Sequence, residues 1–163
     1  MLKKWIVAFV IIGLCSGSYA QEAKSVKIDN KTWVHKFYTE FLNKSNIKLL
    51  DGLVADDYVE HEPIPGYALN KKGLKDYFKM MFIAFPDFKA NIDFMIEEKN
   101  KVVIYLTYTG THKGDYMGVK GSGAKISFKA IDIIQVIDGK MVEHWGVLDT
   151  LTMMDQLKMI SFK

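Results

Sequence analysis

The stretch IDIIQVIDGKMVEHWGVLD, residues 131–149, carries the decisive pattern. Two runs rich in Ile, Val, Met and Trp flank Asp138-Gly139. Asp-Gly between apolar runs is a strong hairpin signal, because both positions of the tight two-residue turn need positive φ. With Asp138-Gly139 as the whole loop, Ile137 faces Lys140 and the register follows. Asp132 then faces Trp145, Ala130 faces Val147, and Phe128 faces Asp149. Asp132 and Asp149 share one face with Phe128, Ile134, Trp145 and Val147. A carboxylate among rings and aliphatics loses hydration, which raises its pKa and suits it to moving protons near neutrality. His144 falls on the opposite face of this regular hairpin, and only a bulge would bring it round.

Upstream of the hairpin, period-two segments at about 89–98 and 101–112 predict two more strands, with a turn at Asn100-Lys101 between them. Strands at 125–137 and 141–149 complete an antiparallel meander. The glycine-bearing stretch 114–124 reads as a mobile loop, and Thr150–Ile160 as a closing helix. Ahead of the strands lie helices. Asp29 or Asn30 caps one with Trp33, Phe37 and Phe41 on a single face. Asn46–Val54 forms a second, and Asp56–Glu62 an extended piece stopped by Pro63. Asn70 opens a long helix whose stripe is Leu74, Tyr77, Phe78, Met81, Phe82 and Phe85, ended by Pro86. Helices followed by a meander predict an α+β fold, with a curved antiparallel sheet packed against N-terminal helices. The strands at 101–112 and 125–137 are apolar on both faces, so the side away from the helices needs cover, most simply a second copy.

Residues 1–20 read as a signal peptide: Lys3-Lys4, an apolar run Trp5–Leu14, and small residues Ser18 and Ala20 before the cleavage point. The chain is then expected to be exported, to the periplasm or outside, with lipidation of Cys15 the lesser alternative. Residues 21–28 form a flexible leader and 29–163 a single domain. Cys15 is the only cysteine, so cleavage after Ala20 excludes disulfides and thiolate chemistry from the mature chain. The apolar run is too short for a transmembrane helix. All 22 basic residues are lysine. Without arginine, bidentate gripping of phosphates and base edges is disfavoured, and no nucleic-acid partner is expected.

Phosphate loops, nucleophile elbows and H-E-x-x-H are missing from the sequence, and His35, His61, His112 and His144 have no ligand spacing, so neither a metal nor a cofactor is expected. Isolated carboxylates and histidines remain. Asp149 is either a pocket carboxylate or the N-cap of the last helix. Asp132 is a structural or a pocket carboxylate. His61, just before Pro63, is a pocket acid or base or an exposed turn residue. Trp33, Phe37, Phe78 and Phe85 are core residues with pocket lining as a second role.

The segments DDYVEHEPIPG (56–66), AFPDF (84–88), TYTGTHKGDYMG (107–118) and IDGKMVEHWGVLDTLTMMDQL (137–157) resemble the SnoaL-like polyketide cyclase family. The resemblance implies a cone-shaped barrel of the nuclear transport factor 2-like, cystatin-like α+β type, and a homodimer through the back of the sheet. It implies a cofactor-independent, ester cyclase-like reaction with a pocket aspartate as general acid/base, a position that Asp149 matches. His61, in the Tyr-x-x-His segment, becomes a pocket residue.

The expected function is therefore acid–base catalysis on a small apolar carbonyl compound: cyclisation, isomerisation or hydrolysis. Asp149 and His61 are the expected catalytic residues, and Phe37, Tyr58, Phe85, Tyr105, Asp132 and Trp145 the expected substrate-binding ones. Tyr58 or Tyr105 could share with His61 the task of steadying the enolate oxygen. The alternative is a non-catalytic small-molecule-binding protein of the cell envelope.

Overall fold

The computed structural model describes residues 29–160; the expected signal peptide with Cys15, and the leader 21–28, lie outside the described residues. Helix α1 (Asn30–Lys36) starts at Asp29, whose carboxylate accepts the Thr32 N–H and satisfies a donor the first turn leaves open. The helix continues as a wider π-type segment over Phe37–Leu42. That widened turn leaves the neighbours Phe37 and Tyr38 both buried, along with Phe41 and Leu42. The expected second helix is split into a 3₁₀ turn (Ile47–Leu49) and a four-residue α2 (Leu50–Leu53). The chain leaves helical geometry at Val54, where β1 (Val54–Glu60) begins and pairs with Met141.

Helix α3 (Lys71–Ala84) is capped by Asn70, whose side chain accepts from Gly73 N–H. The meander follows: β2 (Lys89–Glu98), β3 (Lys101–Thr111), β4 (Lys125–Ile137) and β5 (Lys140–Leu148), then α4 (Thr150–Gln156). The first turn is Lys99-Asn100, one residue earlier than expected, because Lys101 already pairs with Glu98. The second is Asp138-Gly139, with φ of 50° and 72°, the left-handed pair that the two-residue loop demands.

The five strands lie in the order β1-β5-β4-β3-β2. β1 runs parallel to β5, which makes the sheet mixed and brings the end of β1 beside the middle of β5. Along β4 the even-numbered residues Ile126 to Val136 are buried under the helices, and along β3 Val102 to Tyr108 alternate the same way. The opposite face carries apolar side chains in the open: Phe94 is 51% exposed, Ile96 59%, Ile131 43% and Val147 69%. The glycine-bearing stretch, expected to be mobile, is tied down. Lys113 and Gly114 N–H donate to Ala84 O at the end of α3, and His112 and Ala124 pair through their backbones. No described helix is long and apolar enough to cross a membrane.

Candidate active site

The register of the last hairpin decides the site. Ile137 faces Lys140 and Val136 faces Met141, as the turn requires, but the next pair is Gln135 with Glu143. Val142 is an extra residue on β5, and beyond this bulge every partner is displaced by one. Asp132 therefore faces Gly146 rather than Trp145, and Ile134 faces His144. With a side-chain period of two, a one-residue slip turns each side chain to the other face. His144 and Gly146 turn inward beside Asp132; Trp145 and Val147 turn outward.

Between the inner face of the sheet and the helices lies a cavity of about 110 Å³. Phe37, Leu42, Leu74, Phe78, Met81 and Phe128 give it mostly apolar walls, with Asp132, His144 and Glu60 on one side. Asp132 is 3% exposed. Its Oδ2 accepts from the phenols of Tyr38 (2.6 Å) and Tyr108 (2.7 Å), and its Oδ1 stands 3.6 Å from His144 Nε2. On the other ring edge, His144 Nδ1 donates to Glu60 at 2.9 and 3.0 Å. Glu60 also accepts from Tyr58 Oη (2.6 Å) and from Glu62 N–H (3.2 Å). One imidazole is thus held between two buried carboxylates, each stabilised by phenol hydroxyls.

The electrostatics follow from that arrangement. Burial alone would lower the pKa of His144, but the anions of Asp132 and Glu60 outweigh it and push the imidazolium up to about 10. Burial would raise Asp132, yet His144, Tyr38 and Tyr108 together hold it below the ordinary carboxylate range. Glu60 behaves alike: burial opposes ionisation, and His144 and Tyr58 prevail. Tyr38 and Tyr108 are pushed well above the usual phenol value, first by burial and then by the Asp132 charge, so both remain donors.

The family profile of the SnoaL-like polyketide cyclases matches residues 32–157. This chain is a member of the SnoaL-like polyketide cyclase family. Solved structures agree in fold. TsrD from Streptomyces laurentii is 24% identical, with a TM-score of 0.71 over 80% of this chain and 95% of its own. A protein described as a polyketide cyclase from Bacillus cereus ATCC 10987 is 29% identical, with a TM-score of 0.70 over 81% of this chain and 82% of its own. IdmH from Streptomyces antibioticus, described in the same terms, is 26% identical, with a TM-score of 0.69 over 80% of this chain and 99% of its own. No curated protein sequence matches the chain.

Within this SnoaL-like fold the residues singled out from sequence separate. Phe37 and Asp132 line the cavity. Tyr58 is buried behind Glu60 and reaches the site only through that carboxylate. Phe85 is buried against His112 and Tyr116, off the cavity wall. Tyr105 and Trp145 lie on the outer face, Tyr105 stacked on Phe94 and Trp145 beneath Lys101. His61 stacks on Trp145 with ring centroids 4.3 Å apart and bonds Glu143 at 2.7 Å, so it too belongs to the outer face. Asp149 takes the capping alternative: its carboxylate accepts from Thr152 N–H and Oγ1 at the start of α4, in solvent. Those two bonds hold its pKa below the usual value, the reverse of the desolvated carboxylate expected there.

His144, Glu60, Tyr38 and Tyr108 form the polar wall without having been singled out as site residues. Tyr108 was legible, since it continues the buried alternation of Val102, Ile104 and Leu106. The other three depend on the bulge, the parallel pairing of β1 and the π-type turn.

Proposed function

We propose that this SnoaL-like protein is a cofactor-independent acid–base enzyme acting on a small, largely apolar carbonyl compound, by cyclisation, isomerisation or hydrolysis. The reading rests on one observation: a carboxylate and an imidazole stand side by side, 3.6 Å apart, on the wall of an otherwise apolar cavity. Asp132 Oδ1 takes the proton from the carbon next to the carbonyl, and the Nε2–H of His144 stabilises the enolate oxygen as charge develops. In ring closure the enolate carbon then attacks a second carbonyl of the same molecule, and the proton held by Asp132 passes to the new alkoxide. Tyr38 and Tyr108 orient Asp132, and Glu60 fixes the His144 ring and keeps it cationic.

The test uses a small aryl 1,3-diketone in deuterium oxide, followed by NMR. Faster exchange of its activated CH₂ with the protein than with buffer, lost in Asp132→Asn, is the expected result. Undiminished exchange in that variant would remove the proposal. Binding of the diketone with no exchange would favour the second reading, a small-molecule carrier of the cell envelope, which the complete internal pairing of Asp132 Oδ2 and Glu60 also accommodates.

The same proposal places the mature chain outside the cytoplasm, supported by the lysine–apolar–small-residue pattern of residues 1–20. It makes the working unit a homodimer through the outer sheet face, supported by the exposed Phe94, Ile96, Ile131 and Val147 on that face.

A further inference from the structure

Gly146 sits directly opposite Asp132 on β5, is buried, and lines the cavity together with Asp132 and His144. Its φ is not in the left-handed region, so backbone geometry does not require glycine here. Space does. A Cβ at this position would stand 3.0 Å from His144 Cε1, 3.2 Å from Asp132 Oδ1 and 3.5 Å from His144 Nε2. A methyl group would press on the carboxylate oxygen and the imidazole edge that carry the free bonding capacity of the site.

That capacity is specific. Asp132 Oδ2 takes both tyrosine hydroxyls, whereas Oδ1 has no hydrogen bond among the described residues. His144 Nδ1 is committed to Glu60, whereas among the described residues Nε2 meets only Oδ1, at 3.6 Å, longer than a hydrogen bond. The notch over Gly146 therefore opens onto one unused acceptor and one unused donor, side by side. A hydroxyl satisfies both at once, donating to Oδ1 while accepting from Nε2–H. A group with no hydrogen to give leaves Oδ1 desolvated and unpaired, which costs binding.

We infer that Gly146 is the specificity-determining residue of this site, and that its notch admits a hydroxyl of the ligand, as an enol, alcohol or phenol, to Asp132 Oδ1 and His144 Nε2. The inference rests on the cavity being the ligand site. It deepens the catalytic reading by naming the state the notch holds best, the enol that forms from the ketone once the proton taken by Asp132 Oδ1 passes to the carbonyl oxygen.

Phenol and benzene, which differ by that one oxygen, are the probes, titrated by NMR into the wild-type protein and Gly146→Ala. Wild type is expected to bind phenol at least tenfold more tightly than benzene and to show a His144 Nε2 shift with phenol alone. Gly146→Ala is expected to lose that preference through weaker phenol binding, with circular dichroism showing that its fold is retained. Equal affinity for the two probes in the wild type, or an undiminished phenol preference in Gly146→Ala, would overturn the inference. Should the alanine variant fail to fold, the wild-type preference and the His144 shift decide alone. No turnover is involved, so the outcome is separate from the diketone exchange that tests catalysis.

Discussion

His144 Nε2 lies 3.6 Å from Asp132 Oδ1, although an unbulged β4–β5 hairpin would place the two side chains on opposite faces of the sheet. The extra residue Val142 brings them together. The bulge thus creates the donor–acceptor edge that the cavity presents, and it does so three residues past the turn that seemed to fix the register.

Asp132→Asn keeps the shape of the carboxylate and removes its charge. Turnover is expected to be lost with the fold retained. The His144 pKa is expected to fall from its raised value, because one of the two anions that outweigh burial is gone. Imidazole NMR titration reads the shift, and circular dichroism checks the fold.

Stability should follow pH on both limbs. The His144 pKa is raised on folding, so its contribution is complete below the unfolded value of about 6.5 and is lost as pH climbs through about 10. Asp132 and Glu60 are lowered on folding, so theirs is present above the unfolded carboxylate range and lost as pH falls through the folded values. Urea midpoints across pH should give a plateau at mildly acidic pH, above the unfolded carboxylate range and below about 6.5, and His144→Gln should flatten the alkaline limb.

Tyr38→Phe removes one of the two hydroxyls on Asp132 Oδ2. A cost of about 1–3 kcal/mol is expected, from the bond to a buried charged group. The Asp132 pKa is expected to rise, since that bond stabilises the anion. Denaturant unfolding and carboxyl-carbon NMR measure the two effects separately.

Asp149→Ala should lower stability measurably, as the loss of an N-cap does, while Asp149→Asn, which caps nearly as well, should change it little. Both should exchange the diketone at the wild-type rate. A loss of exchange in Asp149→Asn would return this residue to the chemistry.

Val147→Glu plants a charge on the apolar outer face. If that face joins two copies, sedimentation should show a dimer for the wild type and a monomer for the variant at micromolar concentration, with little change in thermal midpoint.

Local pattern alone determined much of this protein. The 3/4 spacing from Leu74 to Met81, the alternation along residues 101–111 and 125–137, and Asp138-Gly139 specify the helices, the strands and the turn, because each depends on neighbours within one element. Asp132 was legible as a carboxylate on an apolar face for the same reason. Only tertiary structure decided its partners. One extra residue in β5 turned His144 inward and Trp145 outward, and strand pairing carries no local mark of such a slip. Glu60 reached His144 because β1 joined the sheet edge in parallel, a contact across 84 positions. Asp149, which satisfies the rule for a helix cap and the rule for a buried carboxylate equally in sequence, became a cap because the sheet ends at Leu148 and leaves it in water.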